Sequence, residues 1–292
     1  MATQKATNDF VFHTPSTLQE ALELAEQYGS AACLMSGGTD FIPKMKALVM
    51  TPDHVISLKG IKKLAYIDFD CREGLRIGTA ATLRRVESHP VVQSVFPALQ
   101  EGIHSMANTQ VRNAGTVVGN LCNAVPSADT APPLLVLDAS VHIQSLRGER
   151  VVPLHDFFTG VCRTCLASDE IVTEVRIPVP DKRAVMKYYK NSARRALDLA
   201  IVGVATYVVP DEEGMVLDAR IALGAVAVTP RRAPRAEEML KGRRLTAELI
   251  EEAAAFAAQE ECAPISDIRA SKEYRRELVR LSVRDGLTLA LR

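Results

Sequence analysis

Gln110-Val111-Arg112-Asn113-Ala114-Gly115-Thr116-Val117-Val118-Gly119-Asn120-Leu121-Cys122-Asn123-Ala124-Val125-Pro126-Ser127-Ala128-Asp129 is the stretch from which the rest of the chain is read. Small residues at 114, 115, 119, 124 and 128 leave backbone uncovered, so successive N–H groups can turn toward an anion such as a pyrophosphate. Thr116, Asn120, Asn123 and Asp129 add hydroxyl, amide and carboxylate groups that can hydrogen-bond the sugar-like part of a nucleotide. Gly, Asn, Ser and Pro also crowd together in ordinary surface loops, and this run taken alone is more often a loop than a site.

A second run shifts the balance. In Leu34-Met35-Ser36-Gly37-Gly38-Thr39-Asp40-Phe41-Ile42-Pro43, an apolar strand over 32–35 enters a Ser-Gly-Gly-Thr turn and leaves into a helix expected over 40–48. Strand, glycine turn and helix start form a phosphate-binding arrangement. No Gly-Lys-Ser/Thr follows, so it is not a nucleotide P-loop, and the Gly-x-Gly-x-x-Gly of a dinucleotide-binding Rossmann unit is missing.

The 292 residues suffice for two or three cores, and 47% hydrophobic with 24% charged residues is an ordinary globular composition. Thirty-five basic residues balance thirty-five acidic ones, so no global field favours nucleic acid or an anionic membrane. The first nine residues lack the apolar core of a signal peptide, and no apolar run approaches the ~18 residues of a membrane helix. A cytoplasmic chain with no membrane span is expected. The cysteines at 33, 71, 122, 162, 165 and 262 read as reduced thiols. Cys162-Arg163-Thr164-Cys165 has the spacing of half a metal site, but no second Cys or His pair accompanies it, so no metal is expected. The six histidines are scattered and no Gly-x-Ser-x-Gly occurs, so no catalytic side-chain constellation is expected either.

Residues 1–60 read as a β-α-β-α-β unit, with strands at 10–12, 32–35 and 54–58 and a first helix capped by Ser16 with Gln19 as returning partner. Residues 61–178 read as a second, larger α+β unit. Its strands fall at 65–67, 75–78, 141–145 and 149–152, Thr82 caps one helix, and Pro90 opens another running from 91 past 99 toward 103. Pro178-Val179-Pro180-Asp181-Lys182-Arg183 is the best boundary in the chain. Beyond it, strands at 184–189, 202–209 and 215–223 precede helices at 234–241, 247–259 and from 271 onward, a third α+β domain over 179–292.

The pair Ser36-Gly37-Gly38-Thr39-Asp40 and Thr116-Val117-Val118-Gly119-Asn120, with Pro264-Ile265-Ser266-Asp267-Ile268-Arg269-Ala270-Ser271 and Tyr274-Arg275-Arg276 in order behind them, resembles the FAD-binding subunit of the molybdenum hydroxylases. These are the xanthine dehydrogenase and carbon monoxide dehydrogenase family, and the resemblance covers nearly the full length. It implies an α+β fold: a vanillyl-alcohol-oxidase (PCMH)-type FAD-binding domain of two α+β subdomains, plus a C-terminal α+β flavoprotein domain closing over the flavin. Non-covalent FAD is the implied cofactor. Leu34, Met35, Ser36, Gly37, Gly38, Thr39, Asp40 and Ile42, with Gly115, Thr116, Val118, Gly119 and Asn120, would surround its pyrophosphate. Asn123 joins this cofactor set, and Asp129 would hydrogen-bond the ribityl chain. Val172 and Lys190 match positions beside the isoalloxazine ring, and Met106 and Ala107 a stretch packing near the cofactor. Without the resemblance Lys190 reads as a solvated surface lysine.

Two departures stand out. The family usually shows two glycines before Asn120, whereas Val118 precedes Gly119 here. The cysteine-rich insertion of relatives that reduce a phenolic thioester is missing, which argues against that branch. The resemblance implies an electron-relaying subunit with no catalytic residue of its own, whose partners are an iron–sulfur subunit with two 2Fe–2S clusters and a large molybdopterin subunit. The clusters and molybdopterin would sit on those partners only, in a dimer of heterotrimers. The alternatives are a stand-alone FAD-dependent oxidase or dehydrogenase of the same fold, for which the ~110 residues after Pro180 make a small substrate cap, and a non-enzymatic nucleotide-binding scaffold.

Overall fold

The chain starts with a layer that only a crossover topology allows. In this computed structural model, which describes residues 8–194 and 197–291, strands Val11–His13, His54–Ser57 and Ala32–Met35 lie side by side in that order, all parallel. The reading of residues 1–7, and Arg195 of the turn after Lys190, fall outside the described residues. Parallel neighbours need a connecting element on the sheet face, and helix Leu18–Tyr28 supplies it by burying Ala21, Leu22 and Ala25 against Ile56 and Leu58. Its N-cap is Thr17, not Ser16: the Thr17 hydroxyl accepts the Glu20 N–H at 3.2 Å, and the Glu20 carboxylate reaches back to the Ser16 N–H at 2.8 Å. Thr17-x-x-Glu20 has the spacing of a capping box, with the Glu20 carboxylate returning to Ser16, one residue before the cap, while Gln19 bonds Glu23. The helix after the first glycine turn is Phe41–Lys46, shorter than expected, since Leu48 at φ +54° turns the chain out of it.

The second layer is a five-stranded antiparallel sheet in the order Ile67–Asp70, Gly74–Gly78, Ile171–Ile177, Ser140–Ser145, Gly148–Pro153. Its central strand comes last in the chain and was not among the strands expected. Leu75, Ile77, Val141, Ile143, Val175 and Ile177 face the main core. The opposite face is polar: Glu174, 3% exposed, accepts hydrogen bonds from Tyr66, Arg76 and Arg176. The single helix expected through 91–103 is two, Pro90–Val95 and Pro97–His104. Pro97 has no N–H and drives the preceding residue out of helical geometry, so Phe96 sits at φ −125°, ψ 53°, fully buried at the kink.

The glycine-rich stretch is likewise more helical than a cradle of uncovered backbone. Helices Thr109–Ala114 and Val117–Asn123 flank a short turn at Gly115 and Thr116. Asn108 caps the first by accepting the Val111 N–H at 2.8 Å, and Thr116 the second by accepting the Gly119 N–H at 2.9 Å.

The last layer is a four-stranded antiparallel sheet of Val185–Asn191, Val202–Pro210, Val216–Gly224 and Arg231–Arg232. Val202–Pro210 is buried at every position but the last. Both faces are covered, so alternation is lost. On one face Val202, Val204 and Val208 meet Val279, Val283 and Leu287 of helix Lys272–Thr288, which Ser271 caps. On the other, Met186, Tyr188, Ala205 and Tyr207 join Leu134 and Leu135 of helix Ala131–Val136 in the main core. Among the described residues, no helix is long and apolar enough to cross a membrane.

Candidate functional site

A cavity of about 730 Å³ opens where these layers meet, a volume within the range of small-molecule and cofactor sites. The turn after strand Ala32–Met35 forms one wall, residues between Met106 and Asp129 form the second, and Lys190 with Leu197, Asp198 and Leu199 closes the third.

The two glycine turns touch backbone to backbone. A Cβ on Gly37 would lie 2.3 Å from the Ala114 carbonyl oxygen and 2.7 Å from Gly115 Cα, so nothing larger than glycine fits there. Gly38 follows at φ +73°, a conformation that side chains with a Cβ rarely adopt. Ser36 donates its hydroxyl to the Thr79 carbonyl at 2.9 Å, and the Leu83 N–H donates to the Gly115 carbonyl at 2.8 Å, which pins both turns to the second layer. Among the described residues, no protein acceptor takes the backbone N–H of Gly37, Gly38, Thr39 or Asp40. Buried N–H groups are almost always satisfied; Gly37, Gly38 and Thr39 are buried or half-buried, and with the exposed Asp40 they line the cavity.

Between the walls, Lys44 donates from Nζ to Asn123 Oδ1 at 2.5 Å, and Thr130 donates its hydroxyl to Asn120 Oδ1 at 2.6 Å. At the far end the buried Asp129 accepts from the Tyr188 hydroxyl on Oδ1 and from Lys190 Nζ on Oδ2, both at 2.8 Å, while Lys190 also donates to the Ser105 carbonyl at 3.1 Å. Burial pushes the Asp129 carboxyl above its usual range, against the opposing pull of Lys190 and Tyr188. Burial, reinforced by the Asp129 charge, pushes the Tyr188 phenol well above its own, so it stays a donor. Three non-glycine residues in the left-handed region line the same cavity: Ala107 (φ +43°), Cys162 (φ +54°) and Leu197 (φ +58°). Backbone strain of this kind gathers where the surroundings dictate it, often at ligand sites.

Of the residues singled out from sequence, Leu34, Met35, Ser36, Gly37, Gly38, Thr39, Asp40, Met106, Ala107, Gly115, Thr116, Gly119, Asn120, Asn123, Asp129 and Lys190 all line the cavity. Ile42, Val118 and Val172 do not. Ile42 is exposed, its Cδ1 lying 3.1 Å from where a Gly38 Cβ would stand, so it props the turn from outside. Val118 is buried because helix Val117–Asn123 is amphipathic, turning Val117, Val118 and Leu121 into the core and Gly119, Asn120 and Asn123 to the cavity. Val172 is buried in the same core on the central strand. Sequence reasoning missed Lys44, Cys162 and the segment Leu197 to Leu199. Lys44 stands four residues after Asp40, one helical turn on, a spacing that would have found it; Cys162 opens the Cys-x-x-Cys run, which points to a metal and not to a cofactor wall, and the segment Leu197 to Leu199 carries no motif. Cys122, also at the cavity, has its thiol pushed up to about 12 by burial.

A family model described as the FAD binding domain in molybdopterin dehydrogenase matches residues 6–180, and one described as the CO dehydrogenase flavoprotein C-terminal domain matches residues 187–289. The chain belongs to this family of FAD-binding oxidoreductase subunits. It is 35% identical to the nicotinate dehydrogenase FAD-subunit of Eubacterium barkeri over 83% of each chain. It is 32% identical to the carbon monoxide dehydrogenase medium chain of Hydrogenophaga pseudoflava over 96% of each. A solved carbon monoxide dehydrogenase from that organism superimposes with a TM-score of 0.93 at 31% identity, covering 98% of both chains. Quinoline 2-oxidoreductase from Pseudomonas putida 86 gives 0.91 at 28% identity, again over 98% of both. The flavoprotein fold expected from sequence, two α+β units and a C-terminal α+β domain, is therefore the fold of this family. The cavity suits FAD on its own terms: four N–H donors at a glycine turn, amides at Asn120 and Asn123, and apolar surface at Met35, Leu83 and Met106.

Proposed function

We propose that this chain is the FAD-carrying electron relay of a molybdenum hydroxylase, taking electrons from the 2Fe–2S clusters of a partner subunit and passing them to an external acceptor. The oxidised substrate is handled on a large molybdopterin subunit, and the complex is a cytoplasmic dimer of heterotrimers. The names of the relatives support this reading, because a medium chain presupposes larger and smaller companions.

The observation that carries the proposal is the cavity's division of labour. Its donor groups are arranged to bind, and among the described residues no histidine lines it. Asp129, the buried carboxylate at the far end, is held by two donors and cannot act freely as a base. A bound flavin accepts electrons singly and releases them in pairs, which joins one-electron clusters to a two-electron acceptor. The protein's part is placement. The Gly37 and Gly115 turns set the distance between the two walls, Ser36 and Thr116 fix the turns, and the Asp129–Lys190 pair presents a charge-balanced surface at the opposite end. Leu197 and Leu199, both exposed, add apolar surface to the cavity lining.

The purified chain should take up one FAD, released intact by denaturation, and should enter a larger complex with its iron–sulfur and molybdopterin partners on size-exclusion chromatography. Turnover of an organic substrate by the chain without partners would instead establish a stand-alone oxidase or dehydrogenase.

A further inference from the structure

Five Asp and Lys side chains line the cavity: Asp40, Lys44, Asp129, Lys190 and Asp198. Their pairing is uneven. Lys190 and Asp129 form an ion pair at 2.8 Å with each side chain only 8% exposed, so their charges largely cancel inside the protein. Asp198 accepts the backbone N–H groups of Arg194 and Leu199 and lies 3.7 Å from the Arg194 guanidinium. Lys44 differs from both. Among the described residues it has no carboxylate partner, and its one hydrogen bond goes to the neutral Asn123 amide. It is half-buried, whereas Lys46 two residues on is exposed.

Position adds to this. Lys44 stands on helix Phe41–Lys46, which leaves the Ser36-to-Asp40 turn, and Asn123 ends helix Val117–Asn123, which leaves the Gly115–Thr116 turn. The ammonium therefore joins the two helices that leave the glycine turns, and in the first of those turns the N–H groups of residues 37–40 have no protein acceptor among the described residues. Only one of its three donors is used by Asn123. An unneutralised, half-buried cation beside open N–H donors is a site prepared for an anion.

We propose that Lys44 is the counter-ion of the dinucleotide's diphosphate and makes the cavity select FAD over flavins without phosphate. Lys190, already neutralised by Asp129, does not fill that role. The proposal rests on the assignment of the cavity to FAD. Lys44 ties its selectivity to the junction of the first two layers, since the same ammonium holds Asn123 and meets the phosphates.

The test is a pair of titrations on the full chain stripped of flavin, one with FAD and one with riboflavin, for wild type, Lys44→Gln, Lys44→Arg and Lys46→Gln. Lys44→Gln should weaken FAD about ten- to a hundredfold, the range of a charge-assisted hydrogen bond, and leave riboflavin within about twofold. Lys44→Arg should recover most of the FAD affinity, and Lys46→Gln should match wild type. In the wild type, FAD affinity should fall with added salt more steeply than riboflavin affinity. Unchanged FAD affinity in Lys44→Gln, or equal weakening of both flavins, would overturn the role of Lys44 while leaving the FAD site standing. A wild-type salt dependence that is the same for both flavins would do so without any variant. Wild type that binds no FAD would remove the assignment beneath it.

Discussion

The two ends of the cavity are built on opposite electrostatic plans. At the glycine-turn end, the N–H groups of residues 37–40 have no protein acceptor among the described residues, and the Lys44 ammonium has no carboxylate partner there. At the other end, Asp129, Lys190 and Tyr188 satisfy one another. The first end is prepared to receive charge from outside, and the second brings its own charges to balance. A group left open is available to a ligand; a closed buried pair mainly resists being broken, because removing one partner strands the other.

The largest expected effect is at Gly37. Gly37→Ala places a methyl 2.3 Å from the Ala114 carbonyl, where neither backbone can yield without parting the two turns, so FAD retention should drop more than a hundredfold and thermal stability should fall. Gly119→Ala sharpens the contrast. Its added Cβ meets only the Thr116 hydroxyl, at 2.9 Å, and that group can rotate at the expense of its cap. The second variant should keep FAD within about tenfold, at a cost of about 1 kcal/mol in folding stability. Equal losses in the two would mean that the backbone contact between the turns is not what holds the open end together.

Next in size is Lys190→Met. It should destabilise the fold by about 3–5 kcal/mol near neutral pH, since Asp129 is then buried without its cation. Burial already raises the Asp129 pKa above its unfolded value, so its contribution is fully present below the unfolded carboxylate pKa and is lost as pH rises through the folded value. Losing Lys190 raises the folded value further, so the variant's deficit relative to wild type should shrink as pH falls toward 4. Chemical denaturation at several pH values measures this. A deficit independent of pH would assign the loss to packing. Lys190→Met with Asp129→Asn should lose less than the single change, as expected for a closed pair.

The smallest effect concerns the flavin itself. With Lys190 gone, any charge left on Asp129 disfavours the reduced cofactor, and a coulombic change of about 1 kcal/mol at an effective dielectric near 20 moves a one-electron potential by some 40 mV. Spectroelectrochemistry should therefore find the Lys190→Met potential lower than wild type. A potential that does not move, or moves upward, would place the pair away from the ring or show Asp129 fully protonated.

How much of this was legible in sequence follows from the range of the interactions. Strand Ala32–Met35 and the cap at Thr82 are local matters of hydrophobic run and hydroxyl spacing, and were read correctly. The central strand Ile171–Ile177 was missed because Glu174 and Arg176 look solvent-facing in one dimension, while in the fold Glu174 accepts from Tyr66 and Arg76 about a hundred residues away as well as from Arg176 beside it. The second run of glycines pointed to the cavity, yet nothing local says that Gly37 must abut Ala114. Asp129 was identified, but its partners Tyr188 and Lys190 come from another layer, and only the assembled chain shows that its charge is taken up. Val118 was read as a doubtful glycine replacement in the cradle; helical phase sends it into the core instead.

The central claim, that this chain binds FAD to relay electrons and not to oxidise substrate itself, is tested most directly by anaerobic absorbance of the FAD-loaded chain. Adding the reduced iron–sulfur partner should bleach the flavin band, and hydroxylase substrates added to the chain alone should leave it untouched. Bleaching by an organic substrate with no partner present, or no bleaching by the reduced partner, would contradict the account.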